Sequence, residues 1–233
     1  MTRIPVERSL DAMKECVAAE PVLSFGEELV NALTHGFGAL AIAVASPFLL
    51  IASLDHGAAF IVGAAVFVVT AVLLYLASTI YHALRPGRTK RFFQRIDHIA
   101  IFLLIAGTYT PFTLGALRGP WGWSLFGAIW GLALVGVVIK GLGTLEVCSL
   151  LRSDRLSLGL YLAMGWLVLL AIGPVVRHVP TPGLLLLLCG GLAYTLGTAF
   201  YCYERIPYFH SVWHLFVLAG TAFHFAAVMN YAA

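Results

Sequence analysis

AAFIVGAAVFVVTAVLLYLASTIYH, residues 58–82, runs for 25 positions without one Asp, Glu, Lys or Arg, and the thirteen residues after it, ALRPGRTKRFFQR (83–95), hold five Lys or Arg. About twenty consecutive apolar residues let an α-helix cross the hydrocarbon of a bilayer. A dense basic turn directly after such a stretch marks the cytoplasmic side. Residues 58–82 therefore read as a transmembrane helix that leaves the membrane into the cytoplasm, and the apolar run that follows the basic turn reads as the return crossing.

The same reading recurs on both sides of this pair. Seven segments, near 32–54, 58–82, 96–117, 121–140, 156–176, 183–203 and 208–230, are long and apolar enough to span. With 61% hydrophobic and 11% charged residues, the 233-residue chain has too little polar surface to cover a water-soluble domain. Arg3, Arg8 and Lys14, then Arg85, Arg88, Lys90, Arg91 and Arg95, then Lys140, Arg152 and Arg155, and finally Arg205 fall on one side of the predicted crossings. Only Arg118 and Arg177 of the 14 basic residues fall on the other. The expected fold is an all-α seven-transmembrane helix bundle, multi-pass in the cell membrane, with the N-terminus cytoplasmic and the C-terminus outside. The net charge of +3 is accounted for by this asymmetry, so no nucleic-acid partner is expected.

Smaller features fill in the outline. Residues 1–23 show no signal-peptide pattern and are expected to form a cytoplasmic segment ahead of a transmembrane domain over 24–233. Ser24 with Glu27 forms a potential capping box that would start the first helix before its apolar part, with Glu27, Glu28 and Asn31 on an interfacial turn. Cys16, Cys148, Cys189 and Cys202 lack metal-ligand spacing, and disulfides are not expected. Gly127 and Gly131 have the GxxxG spacing of close helix contacts.

Ionisable side chains at membrane depth are costly and cluster where a bundle does its work. Ser78 and His82 lie four apart at the end of helix two, Asp97 begins helix three, and His210 and His214 lie four apart at the start of helix seven. The charge-derived topology brings all five to one depth. Residues four apart share a helical face, so His210 and His214 can bind one ion together, with His82 as a third imidazole. Three nitrogen ligands and an open position for water form the pattern of a catalytic zinc, where the bound water has its pKa lowered to about 7. Asp97 is then a fourth ligand or a general base acting through the water, and Ser78 can hydrogen-bond the water, Asp97 or a substrate carbonyl. The bland alternative is a set of interhelical hydrogen bonds. Among the other histidines, His56 and His178 fall at external loops, and His98 points about 100° away from Asp97. His35 is read either as lining the cavity or, with Asn31 as its helical neighbour, as bonding between helices. His224 is read either as a core histidine with a partner or as part of a cavity wall.

The segments EELVNALTHG (27–36), STIYH (78–82), RIDHIAIFLLIAGTYTPF (95–112) and RIPYFHSVWHLFVLAGTAFHF (205–225) resemble the hemolysin III proteins, the bacterial branch of the progestin and adipoQ receptor family. Their Ser-x3-His, Asp and His-x3-His elements also resemble the wider superfamily that includes alkaline ceramidases. The resemblance implies zinc at His82, His210 and His214, with Asp97 and Ser78 as the matching acid and serine. It further implies membrane lipids as partners, and hydrolysis of ceramide-like lipid amides as one activity. A non-enzymatic zinc-stabilised lipid sensor is the alternative. A pore is the weaker one, because no charge ring or continuous polar stripe is evident.

Overall fold

The computed structural model describes residues 23–142 and 154–231. The expectations for residues 1–22 and for Cys16, Cys148 and Arg152 lie outside them. Within them the chain forms α1 (Phe25–Ser53), α2 (Ala58–Ala83), α3 (Arg88–Leu114), α4 (Pro120–Leu142), α5 (Asp154–Gly165), α6 (Ile172–His178), α7 (Thr181–Cys202) and α8 (Phe209–Tyr231). A 3-10 turn, Leu54–His56, extends α1, and another, Leu167–Ala171, joins α5 to α6 into one broken span. Seven helical stretches are long and apolar enough to cross a membrane, as the sequence predicts. The chain is a multi-pass membrane protein.

The helix ends follow local chemistry. Ser24 caps α1: its backbone N–H and Oγ both donate to Glu27 Oε2, at 2.9 and 2.7 Å, while its Oγ accepts from Glu27 N at 3.3 Å. The anticipated capping box is thus formed. Gly57 and Gly119, at φ +87° and +98°, make the turns before α2 and α4 in a region that only glycine enters cheaply. α3 starts at Arg88, eight residues before the expected boundary, because its first turns are polar and carry no hydropathy signal. Asp97 consequently sits in the third turn and not the first.

α3 is the least apolar of the spans, with mean hydropathy 1.3, yet 61% of its membrane stretch is buried, against 17% for the broken fifth span. A helix surrounded by protein can afford polar residues that a lipid-facing helix cannot. α3 packs between α2 and α4, α1 covers α2 and also meets α8, and α8 pairs with α7. At the α2–α3 crossing Gly63 lies against the Pro111 backbone, where a Cβ would stand 2.9 Å from Pro111 Cα. Gly127 and Gly131, by contrast, face open space, so this GxxxG spacing makes no helix contact. The buried face of α4 instead carries Ile129 and Ala133, and Gly136 abuts the Phe102 ring.

The break in the fifth span is held from α3. Tyr109 Oη donates toward the carbonyls of Met164 (2.9 Å) and Gly165 (2.8 Å) and accepts from Val168 N (3.0 Å). These are backbone groups that the interrupted helix leaves without intrahelical partners, and in a membrane they must be satisfied by protein. Trp166 Nε1 donates to Thr195 Oγ1 on α7 at 3.0 Å.

Candidate metal centre

Four helix ends meet at one end of the bundle: the start of α1, the end of α2, the early turns of α3 and the start of α8. His82 comes from α2, and His210 and His214 from successive turns of α8. Each offers one ligand nitrogen, and these atoms lie within 4.8 Å of one another. The ring centroids are 5.2 Å apart for His82 and His210, 5.1 Å for His82 and His214, and 4.8 Å for His210 and His214. His82 and His214 are buried, at 3% and 1% exposure, and His210 is half-buried.

All three rings are held by their Nδ1 atoms. His82 Nδ1 lies 2.7 Å from Glu28 Oε2, and His210 Nδ1 lies 3.2 Å from Glu204 Oε2. His214 Nδ1 is 3.1 Å from Thr34 Oγ1 and 3.3 Å from the Asn31 carbonyl oxygen. Nε2 of each ring is thereby left for an ion. His82 Nε2 is buried without a hydrogen-bond partner among the described residues, which is expensive unless something else occupies it. Metal-binding imidazoles are commonly oriented in this way, by a carboxylate or carbonyl on the far nitrogen. The three histidines therefore fit a metal ion by donor type, spacing and orientation.

The outer contacts are themselves anchored. Lys90 Nζ, at the start of α3, pairs with Glu28 Oε1 at 2.8 Å and donates to the Tyr81 and Leu84 carbonyls that close α2, at 2.9 and 3.2 Å. Glu27 Oε1 accepts from Tyr208 N at 3.0 Å, fixing the turn just ahead of His210, where Tyr208 itself adopts φ +63°. Ser211 Oγ donates to Asn31 Oδ1 at 2.5 Å, tying α8 to α1 beside His214.

Asp97 and Ser78 are both buried. Asp97 stands outside the three-histidine group but within electrostatic range of His210. Ser78 Oγ lies beside the Asp97 carboxylate without reaching hydrogen-bond geometry. Asp97, His210 and His214 line a mostly apolar cavity of about 100 Å³ walled largely by α3, α5, α7 and α8. Tyr109, Trp166 and His224 are shared between this cavity and a second of about 260 Å³ that runs along the broken span.

Several histidines depart from their sequence reading. Of its two readings His35 meets the cavity-lining one and, among the described residues, makes no interhelical hydrogen bond: its ring lies parallel to that of His214, with centroids 3.6 Å apart and planes at 7°. The apolar packing of α1 on α2 and α8 turns it inward, away from any partner. His98 lines the cavity, because the space wraps around more of α3 than the Asp97 face alone. His224 fills both of its readings, lying in the cavity wall with Nε2 3.3 Å from the Leu187 carbonyl oxygen. His56 and His178 end their helical stretches at the loops where the sequence puts them: the His56 backbone carbonyl accepts from Arg118, and His178 Nδ1 lies 2.8 Å from the Pro174 carbonyl oxygen. Glu28, Thr34 and Glu204 were not among the predicted site residues. Only their chemistry could have marked them, since Glu28 and Thr34 lie far along the chain from the ligands they hold.

Residues 23–225 match the family described as Haemolysin-III related. The chain is 43% identical over 206 residues to the hemolysin-3 homolog of Bacillus subtilis, covering 88% of this chain and 94% of that protein. It is 42% identical to hemolysin-3 of Bacillus cereus over the same length, covering 91% of that protein. The human monocyte to macrophage differentiation factor is 29% identical over 164 residues, which cover 68% of this chain and 65% of that protein.

Proposed function

The chain belongs to the haemolysin-III-related family, and from that premise we propose that it is a zinc-dependent hydrolase acting on ceramide-like amides of membrane lipids. The observation that carries the reading is the set of three histidines, each tethered through Nδ1, of which His210 and His214 line an apolar cavity together with the buried Asp97. Three imidazoles without a fourth protein ligand suit a catalytic zinc better than a structural one. Zinc held there supplies Lewis-acid activation of a carbonyl and of water near neutral pH.

The remaining work falls to the protein. Glu28, Glu204 and Thr34 fix the ring orientations. The apolar cavity receives an acyl chain and excludes bulk water, leaving the amide at the polar end. Asp97 takes the proton from the attacking water and returns it to the leaving nitrogen, and Ser78 beside it steadies its carboxylate. The Lys and Arg residues in the turns at this end support a cytoplasmic position for it, within reach of headgroup-level amides. Metal analysis of the purified protein together with a screen of amide- and ester-linked lipids tests the reading. Zinc bound without release of product from any lipid would favour a sensory metal site instead.

A further inference from the structure

His35 is enclosed at 3% exposure, and among the described residues neither Nδ1 nor Nε2 has a hydrogen-bond partner. A neutral imidazole carries one donor and one acceptor, so both of its polar groups are unmet. The ring stacks on His214 and meets the edge of Tyr75 with centroids 5.1 Å apart. These contacts account for an aromatic ring at this position but leave its nitrogens unused, and a phenyl ring would pack as well. The same side chain lines the cavity that holds Asp97, His210 and His214. Among the described residues no Lys or Arg lines that cavity, so none of them offers a phosphate a cationic side chain there. What the unpaired nitrogens complement is an uncharged group able to donate and accept, such as a hydroxyl.

We propose that His35 is a specificity-determining residue that hydrogen-bonds the hydroxyl of an N-acyl amino alcohol seated in the cavity. The inference rests on the lipid-amide reading for the rest of the ligand but not on turnover. A site built to bond a hydroxyl discriminates against an analogue lacking it, because its own polar group is then left unpaired. His35→Phe keeps the stacked ring and removes both nitrogens.

The probes are N-hexadecanoyl ethanolamine and N-hexadecanoyl ethylamine, which differ only in the hydroxyl. Trp166 and Trp213 line the cavity, and their fluorescence reports occupancy. The intact zinc-loaded protein in bilayers should bind the ethanolamide about tenfold more tightly, the scale of one buried hydrogen bond. His35→Phe should bind the two amides alike while keeping its zinc. Equal affinities in the unsubstituted protein, no saturable signal with either amide, or a preference that survives in His35→Phe would each overturn the proposal. The unsubstituted protein decides the first two outcomes even if His35→Phe does not fold. Binding with the expected preference but no hydrolysis would sustain this inference while removing the hydrolase reading.

Discussion

Glu28 Oε2 lies 2.7 Å from His82 Nδ1, and Glu28 Oε1 is held 2.8 Å from Lys90 Nζ, so one carboxylate ties the first turn of α1 to both the end of α2 and the start of α3. The contact fixes which nitrogen of His82 is free. Replacing Glu28 by Gln keeps the shape but removes the charge that orients and enriches the ring. Loss of such an outer partner typically costs about 10–100-fold in metal affinity. Chelator competition on purified Glu28→Gln should show a decrease of that size, and an unchanged affinity would make Glu28 a helix tether only.

The histidines themselves should matter more. Wild-type protein is expected to carry about one equivalent of zinc, and His210→Ala or His214→Ala to lose most of it, because two imidazoles hold the ion far less well than three. Elemental analysis of the three proteins checks this. Full metal retention in both variants would reduce the cluster to a packing feature.

Orientation is testable separately. The basic residues of the α2–α3 turn predict that a reporter fused at Gly87 is cytoplasmic and one at the C-terminus is external. A cytoplasmic signal from the C-terminal fusion contradicts that orientation.

Packing yields a stability prediction remote from the metal. Gly63→Ala would push a methyl group against the Pro111 backbone, which cannot swing aside as a side chain can. A loss of about 1–3 kcal/mol is expected for overpacking at such a crossing. Thermal or denaturant unfolding in detergent measures it, and a neutral result would mean that α2 and α3 separate easily there.

The parts legible in the sequence were those written in local periodicity. Apolar length marked the seven spans, and the i, i+4 spacing of Ser78 with His82 and of His210 with His214 placed each pair on one face. Depth then brought the two pairs together. Features made by meetings between distant segments stayed hidden. Glu28 is 54 residues from His82, and Thr34 is 180 from His214, so no spacing rule links them. The interruption after Gly165 lies within a continuous apolar run, and the Tyr109 hydroxyl that satisfies it comes from another helix. For His35 the sequence leaves two readings open, a cavity wall and an interhelical bond beside Asn31, and does not choose between them. Its stack on His214 depends on how α1 and α8 meet, which hydropathy does not encode.

Hydrolysis itself is tested by release of free fatty acid from a panel of amide- and ester-linked lipids by purified zinc-loaded protein in bilayers, alongside Asp97→Asn and His210→Ala. Product is expected from a ceramide-like amide, with at least about 100-fold slower turnover in Asp97→Asn, the scale of losing a general base, and much of its zinc retained. No product above the His210→Ala control from any lipid, with zinc occupancy confirmed, would contradict a hydrolytic site.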